Sequence, residues 1–246
     1  MMRKIFIISF FIFIGCNQLV EKTSPLDGIY YVLDGWEQFE GGEHDRAHDL
    51  FSTVLLNNTS QYFVEAYVGL AWNAIYKANE IQGSSNFSDR EYQRDIANQY
   101  LDLAIEYNTD SCPSIDIDDC SVLCQNLLTG RIYNSSYQAL EASRRFYDYG
   151  LDSTNWFSMV DYSNQTIIIS DTLLDKCNPE YIFNHDETVT FNKIRILRAQ
   201  THVRLKDFES AYSELILVND PGCIFDDDDR PVSEIVVECL NSLELN

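Results

Sequence analysis

Two glycines 34 positions apart, Gly35 and Gly69, constrain this chain more than any other feature. Ala47 follows Gly35 after twelve residues and Phe51 comes four residues later. Glycine and alanine project almost nothing from a helix, so at these offsets two antiparallel helices can approach closely while the Phe51 ring fills the space between them. Two more intervals of twelve recur downstream, Gly130 to Ala142 and Ala199 to Ala211, with Phe146 and Leu215 standing where Phe51 stands in the first. A repeating small-residue interval of this kind is the mark of stacked helical hairpins, each of which buries its apolar face on the next.

The pattern resembles the tetratricopeptide repeat, whose 34-residue unit pairs a glycine in one helix with Ala-x3-Phe in the next. The resemblance implies an all-α domain over residues 29–246: a right-handed superhelix of antiparallel helix pairs, a helical-hairpin solenoid of about four degenerate repeats closed by a capping helix. Unit one reads as helices over 29–40 and 45–56, joined by Gly41-Gly42. Unit two reads as 61–78 and 90–107, separated by an inserted loop over 81–89 that Ser88 or Asp89 closes as a helix cap. In unit three Gly130 belongs to the first helix and Ala142 to the second. Unit four covers the stretch around Ala199 and Ala211, and residues 232–245 supply the cap. An eroded unit fits between units three and four, with 165–176 as its second helix, although the run Thr166-Ile167-Ile168-Ile169 is β-branched and leaves a strand open there.

In the register that the resemblance implies, Val32, Trp36, Phe39, Asn73, Lys193, Gln200 and Arg204 line a concave groove. Grooves of this family commonly hold extended peptides. His44 takes the place where the family packs an aromatic between helices.

The first sixteen residues have a different purpose. Arg3 and Lys4 precede an apolar run over 5–14 that is too short to span a bilayer but suits a signal peptide. It ends in Phe13-Ile14-Gly15-Cys16, which resembles the lipobox of bacterial lipoproteins. That resemblance implies removal of residues 1–15, lipidation of Cys16, a polar tether over 16–28, and, with Asn17 next, residence at the outer membrane. Two or more acyl chains anchor a protein stably where one does not. The six cysteines that remain, Cys112, Cys120, Cys124, Cys177, Cys223 and Cys239, are an even number in an exported chain and read as disulfides. Cys223 with Cys239 is the favoured local pair, and Cys112 with Cys120 or Cys124 the next.

Charge narrows the partners. A formal net charge of −22 without a basic stripe excludes nucleic acid, which needs clustered Lys and Arg. No phosphate loop, nucleophile elbow or HExxH occurs. His44 and His48 share a helical face but lack a third ligand, and Cys112, Cys120 and Cys124 lack CxxC spacing, so no metal and no cofactor is expected. His185-Asp186 reads as a loop turn with an Asx cap, and the run Asp226 to Asp229 as a solvated acidic loop rather than a calcium site. The expectation is a lipid-anchored, non-enzymatic envelope scaffold that binds a protein or peptide in its groove. The alternatives are nutrient capture, as in the larger SusD-like lipoproteins, and assistance to outer-membrane barrel assembly.

Overall fold

The computed structural model describes residues 25–57, 60–107, 121–148, 151–177, 180–223, 225 and 230–244. The segment read as a signal peptide, Cys16 and the lipidation expected there, Cys112, Cys120 and the acidic run 226–229 lie outside the described residues. Nine α-helices make up the described chain: α1 (Pro25–Glu40), α2 (His44–Leu56), α3 (Phe63–Glu80), α4 (Phe87–Tyr107), α5 (Val122–Asp148), α6 (Ser153–Lys176), α7 (Phe191–Arg204), α8 (Phe208–Val218) and α9 (Val232–Glu244). No helix among the described residues is long and apolar enough to cross a membrane.

Each helix packs on the one that follows it, and α1 also touches α3, α3 touches α5, and α5 touches α7. The molecule is therefore a row of four helix pairs with a ninth helix at the end, and α1, α3, α5 and α7 form one continuous layer. Local chemistry sets the breaks. Pro25 opens α1, a position where its missing N–H costs nothing, so the helix starts earlier than the tether expected over 16–28. Gly42, at φ +76°, allows the tight turn into α2. Asp152, Thr190 and Asp207 cap α6, α7 and α8 by accepting from Thr154, Lys193 and Ser210 backbone N–H groups.

The Phe51 ring is fully buried between Gly35 and Gly69. A Cβ at Gly35 would stand 2.7 Å from the ring, and one at Gly69 would stand 2.5 Å from it. The glycines thus make room for a ring that joins α2 to both α1 and α3. The fourth pair repeats the arrangement: Ala199 and Ala211 are fully buried beside Leu215, in a second core completed by Val236 and Leu240 of α9. Cys223 and Cys239 are joined by a disulfide that ties the loop after α8 to α9. Cys124 and Cys177 are each engaged in a disulfide as well.

The third unit departs from expectation. Gly130, Ala142 and Phe146 all lie on α5, a single helix of 27 residues, and are not divided between two helices. The reason is plain in residues 131–141, which contain no glycine or proline to stop a helix. Its partner α6 runs unbroken through Thr166-Ile167-Ile168-Ile169, so the strand alternative is wrong, and 165–176 is the second half of α6, not a separate helix of an eroded unit. Small hydroxyls bring the two helices together: Ser135 Oγ and Thr166 Oγ1 are 2.8 Å apart and both side chains are buried. One hydroxyl donates to the other, which in turn donates to a carbonyl of its own helix (Arg131 for Ser135, Tyr162 for Thr166), so the pair is satisfied inside the core. Nor do Ser88 and Asp89 cap α4, which begins at Phe87.

Candidate binding face

The segment between α6 and α7 is what shapes the face formed by the odd-numbered helices. Residues 181–190 form a loop closed by one antiparallel bridge, Ile182 with Thr190, and by the Phe183 N–H donating to the Val189 carbonyl at 2.9 Å. The Asx turn expected at Asp186 is present: its Oδ1 accepts from the Thr188 N–H at 2.9 Å and from the Thr188 hydroxyl at 2.7 Å. Thr190, not a residue of the turn, caps α7.

This loop is laid against α1 and α3 by its rings. The His185 imidazole is stacked on Trp36 with 3.8 Å between centroids and parallel planes. Phe183 is stacked on Trp72 at 4.2 Å and is fully buried. Tyr181 donates from its hydroxyl to Asn126 Oδ1 at 2.6 Å, and Trp72 Nε1 donates to the Asn126 carbonyl at 3.1 Å, so α3, α5 and the loop meet at one residue. Polar contacts complete the seat. The Tyr76 hydroxyl donates to Asp186, and His185 Nδ1 lies 2.7 Å from Glu40 Oε1. Burial lowers the proton affinity of His185 and outweighs the opposing pull of Glu40. Burial likewise raises the Tyr181 phenol above its ordinary range, which keeps it a neutral donor.

The predicted groove residues are consequently not a groove. Val32, Trp36, Phe39 and Asn73 are all buried, none more than 3% exposed. The chain's own loop covers Trp36, and its neighbours close over the rest. Phe39 packs edge-on against Trp36, His44 and Tyr76. Asn73 is bound to α2 in both directions: its Nδ2 donates to the His44 carbonyl at 2.7 Å, and its Oδ1 accepts from His44 Nδ1 at 3.0 Å. His44 thus packs between helices, as the resemblance implied, with Nε2 turned to Glu80 at 3.2 Å. His48 is half-buried, 3.7 Å from Asp49. Lys193, Gln200 and Arg204 recur on α7 and are all partly exposed, with Arg204 donating to Thr201 Oγ1 at 3.3 Å. The second set of predicted residues is therefore accessible where the first is not. Among the described residues no group of three or more His, Cys, Asp and Glu side chains is placed to hold a metal.

Sequence reasoning read the 181–190 segment as a turn and missed that its side chains fill the face. The available signal was the alternation Tyr181, Phe183, His185, which puts three rings on one side of an extended stretch. It also passed over Arg90 and Arg94, four apart on α4, and the Arg144-Arg145 pair on α5, although the whole chain has only 17 Lys and Arg. No family model, no curated protein and no solved structure matches the chain.

Proposed function

We propose that this chain is a non-enzymatic scaffold of the tetratricopeptide kind, held at a bacterial outer membrane by lipid on Cys16, and that it binds a segment of another envelope protein on the face of its odd-numbered helices. The docked loop carries this reading. Two ring stacks, a tyrosine hydroxyl and a histidine–carboxylate contact hold a stretch of polypeptide on α1 and α3 that belongs to neither helix. A surface with exposed aromatic planes and a few placed polar atoms recognises polypeptide well, because rigid rings lose little entropy on binding. The partner segment takes the loop's place or lies beside it toward Lys193, Gln200 and Arg204.

The test is a photo-crosslinking residue at Glu40, which is exposed beside His185, introduced in the intact envelope. It is placed both in the native chain and in a variant whose residues 182–188 are replaced by a glycine–serine link. One adduct of defined mass is expected, more abundant in the variant, where the face is vacated. No adduct in either chain, while the variant keeps its helical circular dichroism, overturns the scaffold reading. The anchor has its own check: Cys16→Ser should lose membrane fractionation, and a mature, membrane-bound Cys16→Ser protein would refute lipidation.

A further inference from the structure

Away from the docked loop, the molecule has a cleft of about 560 Å³ between the end of α3, the first half of α4 and the last half of α5. That volume is within the range of small-molecule sites. Its lining is opposite in character to the rest of the chain. Arg90, Arg94, Arg144 and Arg145 face it together with only two carboxylates, Glu141 and Asp148, in a protein of 17 basic and 39 acidic residues.

The four arginines are not equally committed. Arg90 is fully used: Nε and Nη2 grip both oxygens of Glu141 at 2.8 and 3.1 Å, and Nη1 donates to the Gly83 carbonyl at 2.6 Å. Arg94 forms the floor and is 2% exposed, and its hydrogen-bond partners are neutral, with Glu141 acting on it only through charge. Nη2 donates to Asn79 Oδ1 at 2.7 Å, Nη1 reaches Asn134 Oδ1 at 3.4 Å, the Tyr137 ring lies 4.8 Å away, and Nε has no hydrogen-bond partner. Burial pulls its pKa down to about 10, still well above neutrality, so a desolvated cation sits at the base of the cleft. Arg144 is exposed and only 3.8 Å from a Glu141 already held by Arg90. Arg145 lies over the Phe87 ring at 3.6 Å, a close cation–π contact, and reaches Glu91 at 3.8 Å, longer than a direct hydrogen bond.

A chain with more than two carboxylates for every cation has seated a buried guanidinium against two amides and a tyrosine ring, with no carboxylate among its hydrogen-bond partners. Were the four arginines there only to fasten α4 to α5, a carboxylate opposite Arg94 would serve better, as Glu141 does for Arg90. We infer that the cleft is a binding site for a small organic oxyanion, a carboxylate or a phosphate ester, held by Arg94 at the floor and by Arg144 and Arg145 at the walls. Guanidinium groups suit either group because their N–H pairs match two oxygens at once.

Calorimetric titration of the full chain with glutarate and with inorganic phosphate, each against chloride at equal ionic strength, tests this inference. Saturable binding of at least one anion is expected, and the tighter of the two identifies the source as carboxylate or phosphate. The double variant Arg144→Gln/Arg145→Gln removes wall cations without touching the floor. It should weaken binding by about tenfold or more, the usual worth of a charge-assisted hydrogen bond. Arg94→Gln should abolish binding, and the wall variant keeps the test decisive if the floor variant does not fold. Arg131→Gln is the control, since Arg131 also spans α4 and α5, to Asp102, but lies outside the cleft. Neither anion binding above chloride, or Arg131→Gln weakening binding as much as the wall variant, overturns the assignment.

Discussion

The contact of α2 with α1 and α3 and the contact of α5 with α6 are both close antiparallel packings, reached by opposite means. In the first, two helices offer no side chain at all, Gly35 and Gly69, and one large ring, Phe51, occupies the space. In the second, Ser135, Ser163, Thr166 and Ser170 are all buried and small hydroxyls take the place of glycine. The first device is written as a spacing and can be read without coordinates. The second has no period, because a serine that bonds its own helix carbonyl can occur at any turn. Helix pairs of one row can thus be equally intimate while only some of them carry the repeat's signature.

The comparison breaks most visibly at Gly69. A methyl group there would lie 2.5 to 2.7 Å from three carbons of the Phe51 ring, and the ring is also packed on Gly35, where an added Cβ would stand 2.7 Å from it, so it has little room to withdraw. Gly69→Ala should therefore destabilise the fold by about 2–3 kcal/mol, the upper part of the overpacking range, despite alanine's better helix propensity. The midpoint of a urea melt reads this directly, and an unchanged midpoint would show that Phe51 is not clamped as described. On the other side of the comparison, Thr166→Val keeps the shape and deletes the hydroxyl. Ser135 still donates to the Arg131 carbonyl, so the loss should be about 1 kcal/mol, one hydrogen bond's net contribution. A larger loss would mean that the hydroxyl pair, not the apolar contact, holds α5 to α6.

The docked loop gives a smaller, pH-dependent effect. Facing His185 are Glu40 from α1 and the Trp36 ring, while Asp186 beside it is engaged by Tyr76 of α3. Burial leaves His185 with a pKa below its ordinary 6.5, so the folded chain binds fewer protons there than the unfolded chain. The sign follows: this contribution is complete above about 6.5 and is lost as pH falls below that value. Hydrogen exchange at the Phe183 amide, which bonds the Val189 carbonyl, should accelerate between pH 7 and pH 5 relative to the intrinsic rate, as ordinary for a histidine that titrates in this range. His185→Gln should flatten the trend. Acceleration that survives His185→Gln would assign the pH response to another group.

Much of the fold was legible because it rests on breakers and on small-residue spacing. The turn at Gly41-Gly42, the pair of helices around Ala199 and Ala211, the last helix and the Cys223–Cys239 bridge are all local consequences of residues that stand close together in the chain. The face covered by residues 181–190 was not legible, and the reason is physical. Trp36 and Phe183 are 147 positions apart, and nothing in either neighbourhood announces that they meet. Register arguments place Val32, Trp36, Phe39 and Asn73 on one side of a helix pair but cannot say whether solvent or a later loop lies on that side. The arginine cleft escaped for a related cause: its members are ordinary surface cations one at a time, and only the packing of α4 on α5 turns them into a concentration of charge.

Gly130 supplies the finest test of what the interval of twelve means. It stands twelve residues before Ala142 just as Gly35 stands before Ala47, yet both members of the later pair lie on α5. A methyl group at Gly130 would meet Leu101 Cδ2 and Trp72 Nε1 at 3.3 Å, a tight contact but not an impossible one. Trp72 cannot move far, because Phe183 stacks on it and its Nε1 is bonded to the Asn126 carbonyl. Leu101 can yield by turning the end of its side chain. Against that small crowding cost, alanine in mid-helix is worth about 1 kcal/mol over glycine. The two nearly cancel, so Gly130→Ala should leave the urea midpoint within about 0.5 kcal/mol of the native value, as a well-tolerated substitution does. A loss as large as that of Gly69→Ala would mean that α5 is seated on its neighbours by the same glycine mechanism as α3, and that the third interval is a repeat in packing even where it is not one in chain direction.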